Sequence, residues 1–166
     1  MTFAAGEISQ TVTVLVYGDQ VIEYNEQFAL QLSNGNQAWG TILNDDGVLV
    51  NIGDSSVYEG DYGTTLIGFT VWLSAPSTET VTVDFHTIDG TATAGSDYLP
   101  TNGTLTFAPG ETSKTIWVEI QGDTVYEWDE YFYVVLENSS SNSLIQQAWG
   151  TGSILNNDPD YSDWWW

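Results

Sequence analysis

The sequence predicts an all-β protein, an immunoglobulin-like seven-strand β-sandwich preceded by a partial three-strand repeat. Three observations carry this. Hydrophobic residues alternate with a period of two in one segment after another, as half-buried strands require. Turn signals recur about every 8–12 residues over a unit of about 110, the rhythm of a sandwich. The chain also repeats itself: TFAAGEISQTVTV (residues 2–14) matches TFAPGETSKTIWV (106–118), GDQVIEYNE (18–26) matches GDTVYEWDE (122–130), and AWGTILNDD (38–46) matches AWGTGSILNND (148–158).

The repeat sets the divisions: residues 1–46 are a partial unit, 47–158 a complete one and 159–166 an acidic, Trp-rich tail. In the partial unit Val12, Val14 and Val16 share one face of a first strand, Thr11 to Val16. An acidic turn follows, then Phe28, Leu30 and Leu32 alternate in a second strand, and Trp39 to Leu43 forms a third. From Val48 the pattern starts afresh. Val48 to Ile52 is a strand, Val57 to Gly63 a turn, and Phe69, Val71 and Leu73 face inward on the next strand. Val81, Val83 and Phe85 alternate on another, the small-residue loop DGTATAGSDY spans 89–98, and Gly103 to Phe107 is a short strand. The repeated three-strand set completes the unit. Residues 1–46 match only that set, so the four strands that precede it in the second unit have no counterpart in the first.

Composition narrows the partners. The 166 residues include 23 acids against a single Lys or Arg, for a formal charge of −22. Such a chain repels nucleic acid and anionic membrane surfaces. No apolar run approaches the about 18 residues of a membrane span. The absence of Cys removes disulfides, zinc–thiolate sites and thiol nucleophiles. No signal peptide precedes the repeat, which reads as a mature or excised piece.

The acidic turn is the candidate site. Both copies keep a D-x3-E-x2-E pattern between strands, as Asp123, Glu127 and Glu130 and as Asp19, Glu23 and Glu26. Carboxylates clustered at one end of a sandwich suit a hard cation such as Ca²⁺, which takes six to eight oxygens at about 2.3–2.6 Å. Without a cation they raise one another's pKa. No EF-hand frame fits Asp89-Gly90 or the tail. A glycosidase pair of Glu127 and Glu130 is disfavoured, because a hydrolase needs two acids in unlike environments and has no use for the same set in a half domain. His86 is expected to face outward beside Asp84 as an ordinary surface residue.

Five motifs in order resemble the Calx-beta family: the EGDYG turn at Glu59, then DGTATAGSDY, GTLTFAPGETSKTI, GDTVYEWDE and the ILNND ending. The resemblance covers Gly47 to Asp158 in full and Thr2 to Asp46 as the C-terminal part of another unit. It implies a seven-strand sandwich binding several Ca²⁺ ions in the loops at one end. Carried over by position, the ligands fall on Glu59, Asp97, Asp123, Glu127, Glu130 and Asp158. In the first unit Asp19, Glu23, Glu26, Asp45 and Asp46 correspond. Where the family has three consecutive Asp, this chain has Asn156-Asn157-Asp158, which implies fewer or weaker ions.

The expectation is therefore a non-catalytic, Ca²⁺-binding repeat of an extracellular or cell-surface protein, with Ca²⁺ stiffening the domain tips and junctions of a rod, fibre or adhesin. Its expected partners are its own kind, through the incomplete first unit or neighbouring repeats of a longer chain, with Trp164, Trp165 and Trp166 as further candidates to cover the open face. The alternative is a carbohydrate-binding module. Trp72 and Trp117 fall in the outward phase of neighbouring strands and offer an aromatic platform.

Overall fold

A computed structural model describes residues 3–160. It forms two compact units, divided between Asp46 and Gly47. The tail tryptophans Trp164, Trp165 and Trp166 lie outside the described residues.

The first unit contains two described strands, β1 (Glu26–Gln31) and β2 (Gln37–Ile42), paired antiparallel from Glu26↔Ile42 to Gln31↔Gln37. The expected strand over Thr11–Val16 does not form, and Val12, Val14 and Val16 are 43%, 45% and 49% exposed. The reason lies in the second unit. There the equivalent residues belong to the strand Ser113–Gly122, paired with Gly63–Leu73, whereas among the described residues no strand stands beside Thr11–Val16. Alternation supplies a face, but a strand also needs a ladder partner.

The second unit carries β3 (Val48–Ile52), β4 (Ser55–Tyr58), β5 (Gly63–Leu73), β6 (Val81–Asp89), β7 (Asn102–Phe107), β8 (Ser113–Gly122), β9 (Glu130–Glu137), β10 (Ser143–Gln147) and β11 (Trp149–Leu155). One sheet has the order β10-β3-β5-β8 and the other β4-β11-β9-β6-β7. Among the described residues nine segments appear where seven strands were expected, because the first and last strands each break and change sheet. The first breaks at Gly53 and Asp54. The Gly53 N–H donates to the Thr70 carbonyl in one sheet (3.0 Å), while Asp54 accepts from the Thr151 N–H in the other (2.7 Å). The last breaks at Ala148. The two breaks lie against each other, since a Cβ on Gly150 would stand 2.8 Å from the Gly53 carbonyl oxygen.

Between the sheets lie Val50, Ile52, Phe69, Val71, Val81, Val83, Phe107, Val118, Ile120 and Val134, all fully buried. Phe132 sits among them, stacked on Tyr98 at 4.4 Å and edge-on to Phe69 at 5.8 Å. Burial of side chains this size contributes about 1.5–3 kcal/mol each. Register then fixes the loops. The pairs Tyr58↔Leu155, Glu130↔Ile154 and Gly63↔Gly122 bring the end of β4, the start of β5, the β8–β9 loop and the end of β11 to one end of the sandwich.

Candidate metal centre

Four loops supply the acids. Glu59 opens the turn after β4, its N–H donating to Leu155 O (3.3 Å) and its carbonyl accepting the Thr65 hydroxyl (2.9 Å). Gly60 and Gly63 take φ of +85° and +73° to make that turn, a region open to glycine at little cost. The turn presses on the β8–β9 loop, since a Cβ on Gly122 would stand 2.1 Å from Gly60 O. Asp97 ends the small-residue loop. Its Oδ2 accepts the Thr93 N–H (2.6 Å), and the Gln121 N–H donates to its carbonyl (2.9 Å), tying it to the end of β8. Asp89 braces the same loop by accepting from the Tyr98 hydroxyl (2.5 Å) and the Ala94 N–H (2.9 Å).

The resulting cluster is anionic and partly dry. One carboxylate oxygen each from Asp97, Glu127 and Glu130 lies within 4.8 Å of the others. Glu59 and Asp158 are only 6% and 7% exposed. Burial, then the charges of Asp158, Glu127, Asp123 and Asp97, pushes the Glu59 carboxyl up to about 7. Burial, then Asp97 and Glu127, does the same to Glu130. Glu127 is raised by burial and by Asp97, Asp123 and Asp158, and Asp158 by burial, Asp61 and Asp123. Asp158 Oδ2 is buried and has no hydrogen-bond partner among the described residues. A buried carboxylate oxygen with nothing to accept from is costly unless a cation meets it. Oxygen donors alone, with no Cys in the chain, fit Ca²⁺.

Two features escape a reading from spacing alone. Asp61, outside the repeated pattern, faces Asp158 electrostatically and accepts the Asn157 amide at 2.7 Å. Asn156 and Asn157 are latches as well as lost charges. Asn157 Oδ1 accepts the Gly60 N–H (2.9 Å), while the Asn156 amide donates to Asp158 O (3.0 Å) and its Oδ1 accepts the Asp158 N–H (3.2 Å). A carboxylate at either position would have no N–H for the donated bond. The closeness of the two turns at Gly60 and Gly122 was the signal for Asp61, and it exists only in three dimensions.

The first unit builds its acidic loop the same way. Val21 N–H donates to Asp19 (2.8 Å) as Val125 N–H does to Asp123 (2.7 Å). Glu23 N–H reaches Asn44 (3.2 Å) as Glu127 N–H reaches Asn156 (3.5 Å). Asn44 N–H donates to Asn25 (2.9 Å) as Asn156 N–H does to Asp129 (3.0 Å). Asp19, Glu23, Glu26, Asp45 and Asp46 line one groove, with Val14, Val16, Phe28 and Ile42. Partial burial and the charges of Asp45 and Asp19 raise the Asp46 carboxyl.

His86, expected as a lone surface residue, sits 3.2 Å from Glu137 through Nδ1. Asp84 instead accepts from Thr104 (2.5 Å) and Asn138 (3.3 Å).

Comparison with known proteins identifies the family of the fold. The Calx-beta domain profile matches residues 1–56 and again 44–160. Sodium/calcium exchanger 1 of Rattus norvegicus is 53% identical over 70 residues, covering 42% of this chain and 7% of the exchanger. Sodium/calcium exchanger 3 of the same species is 42% identical over 81 residues, covering 49% of this chain and 9% of that protein. The chain thus spans under a tenth of the length of these relatives. Among solved structures, the apo-form Calx CBD1 domain superposes with a TM-score of 0.61 at 30% identity, covering 68% of this chain and 99% of that one. Calcium binding domain CBD12 of CALX1.1 gives 0.59 at 31%, covering 66% and 46%. The chain belongs to the Calx-beta domain family.

Proposed function

We propose that the chain is a Ca²⁺-binding structural module. The observation that carries this is the buried Asp158 Oδ2, without a partner among the described residues, in a group of acids where burial and mutual repulsion raise Glu59 and Glu130 to about 7. Glu59, Asp97, Asp123, Glu127, Glu130 and Asp158 would hold the ions in the second unit, with Asp61 beside them. Asp19, Glu23, Glu26, Asp45 and Asp46 would do so in the first. Bound Ca²⁺ supplies the positive charge that the site lacks and draws the loops together. The reading includes no catalysis, since Glu127 and Glu130 share one anionic environment with Asp97.

The setting we favour is an extracellular or cell-surface rod or adhesin. Asn156 and Asn157 replace charged oxygens with amides, which suits the millimolar Ca²⁺ outside cells, where modules bind at about 10⁻⁴–10⁻³ M. Asp45 and Asp46 directly precede Gly47, so ordering their loop stiffens the start of the segment that follows. Self-association through residues 1–46, or contact with neighbouring repeats, is part of this reading, supported by the exposed Val12, Val14 and Val16. Thermal melts test the binding. Ca²⁺ at a hundredfold excess over Kd adds about 2.7 kcal/mol, so melting temperatures in Ca²⁺ and in chelator must differ by several degrees. Glu127→Gln must weaken calorimetric Ca²⁺ binding. Scattering profiles that do not change with Ca²⁺ would remove the stiffening role. A monomer in sedimentation, for both the whole chain and residues 47–166, would remove self-association.

A further inference from the structure

We propose that the outward face of the β10-β3-β5-β8 sheet is a binding site for a neutral oligosaccharide of flat, equatorially substituted pyranose rings. This site is separate from the cation cluster and independent of it. The cross-strand register places the outward side chains in rows. Asn51, Trp72 and Ser113 form one row, Thr70 and Thr115 the next, Gly68 and Trp117 the third, and Leu66 and Glu119 the fourth. Both tryptophans are on this face, 38% and 57% exposed.

Each indole lies over a glycine. A Cβ on Gly68 would stand 2.7 Å from Cζ3 of Trp117, and a Cβ on Gly53 would stand 3.4 Å from Cζ3 of Trp72. With no side chain at Gly68, the Trp117 ring leans across its neighbouring strand with surface still open to solvent. Gly53 is hydrogen-bonded to Thr70, two residues along β5 from Gly68. The two ring sites are therefore about 8 Å apart, from one strand spacing of about 4.8 Å and two residues of about 3.3 Å rise. Exposed Thr70 and Thr115 occupy the row between.

The ligand class follows from these groups. A pyranose with equatorial substituents presents an apolar C–H face to an indole and hydroxyls at its rim. Two rings about 8 Å apart suit nonadjacent or successive sugars of one short chain, with threonine hydroxyls between them. Charge chooses among glycans. Across these four rows Glu119 is the one ionisable side chain, while the chain as a whole carries −22. Polyanionic glycans are repelled and neutral ones are not.

Calorimetric titration of the whole chain with cellohexaose, maltohexaose and hexagalacturonate tests the proposal, with Ca²⁺ and then with chelator. Saturable binding of cellohexaose is expected under both conditions, with no binding of hexagalacturonate. Trp117→Ala and Trp72→Ala should each weaken it at least tenfold. Trp128→Ala, 80% exposed but on the β8–β9 loop, should not. Because Trp117 also covers Gly68, Thr70→Glu provides a second variant that puts a charge between the rings and leaves both in place; it should abolish binding with the melting temperature unchanged. No saturable binding of either neutral hexasaccharide, or unchanged affinity in Trp117→Ala or Thr70→Glu, overturns the proposal. A dimer of the whole chain that Trp117→Ala makes monomeric overturns it in favour of a protein contact. Loss of the Ca²⁺ response alone leaves this result unaffected and bears only on the cation site.

Discussion

Replacing Glu59 with Gln separates the cost of the acidic cluster from its use. Glu59 is 6% exposed and faces Asp158, Glu127, Asp123 and Asp97. Its carboxyl titrates higher in the fold than in the unfolded chain. The penalty is thus absent below about pH 4.5, grows from there to about pH 7, and is full above. A rise from 4.5 to about 7 corresponds to about 3 kcal/mol at about 1.4 kcal/mol per pH unit. Burial is the largest cause of that rise and repulsion by the four neighbouring acids the next, so removing the charge returns about 2–3 kcal/mol. For a domain of about 110 residues this is about 8–12 °C in Tm. Glu59→Gln is therefore expected to raise Tm in chelator at pH 8, while shrinking the gain on adding Ca²⁺ because a charged ligand is gone. Scanning calorimetry of both proteins, with chelator and with Ca²⁺, reads both effects. A Tm in chelator that falls on substitution, or a Ca²⁺ gain that stays the same, would refute the reasoning.

Three further outcomes follow. Glu59 and Glu130 sit near 7 without a cation, so Ca²⁺ binding at pH 7 should release about one proton and tighten from pH 6 to pH 8; equal affinities at the two pH values would count against these ligands. Gly122→Ala should lower both Tm and Ca²⁺ affinity, since its Cβ would stand 2.1 Å from Gly60 O and part the two loops; a variant that binds normally would show that the turns need not touch. Lys114→Gln breaks the pair with Glu111 at 2.9 Å, a half-exposed contact worth about 0–1 kcal/mol, and a contact with the Phe107 ring at 5.9 Å, both away from the acidic loops, and titration should show unchanged Ca²⁺ affinity.

What the sequence revealed depended on whether a feature was local. The acidic loop was legible because its spacing occurs twice, and its hydrogen bonds are indeed reproduced in both units. Alternation found the long strands around Phe69 and Val83, and the repeat found the one around Val118. Alternation misjudged Thr11–Val16, where the pattern is present but no pairing neighbour stands among the described residues. It set β3 at Val48–Ile52, as observed, but took Val57 and Tyr58 of β4 into a turn and missed β10, because strands of four and five residues are too short for a period of two to stand out. Asp61 and the two asparagine latches were illegible for a different reason. Their roles come from contacts such as Gly60 N–H to Asn157, across 97 positions of sequence.

The broken first and last strands have a mechanical consequence. β3 runs parallel to β10 and β4 runs parallel to β11, from Ser143↔Val48 through Leu155↔Tyr58. Tension applied at Gly47 and at Asp158 pulls these parallel partners past each other along their length. Such loading shears the ladder bonds together, whereas a hairpin pulled from its open end unzips them one at a time. The unit is thus clasped at both ends by the same pair of strands, once in each sheet, and a tug along the chain meets two clasps before it reaches the core.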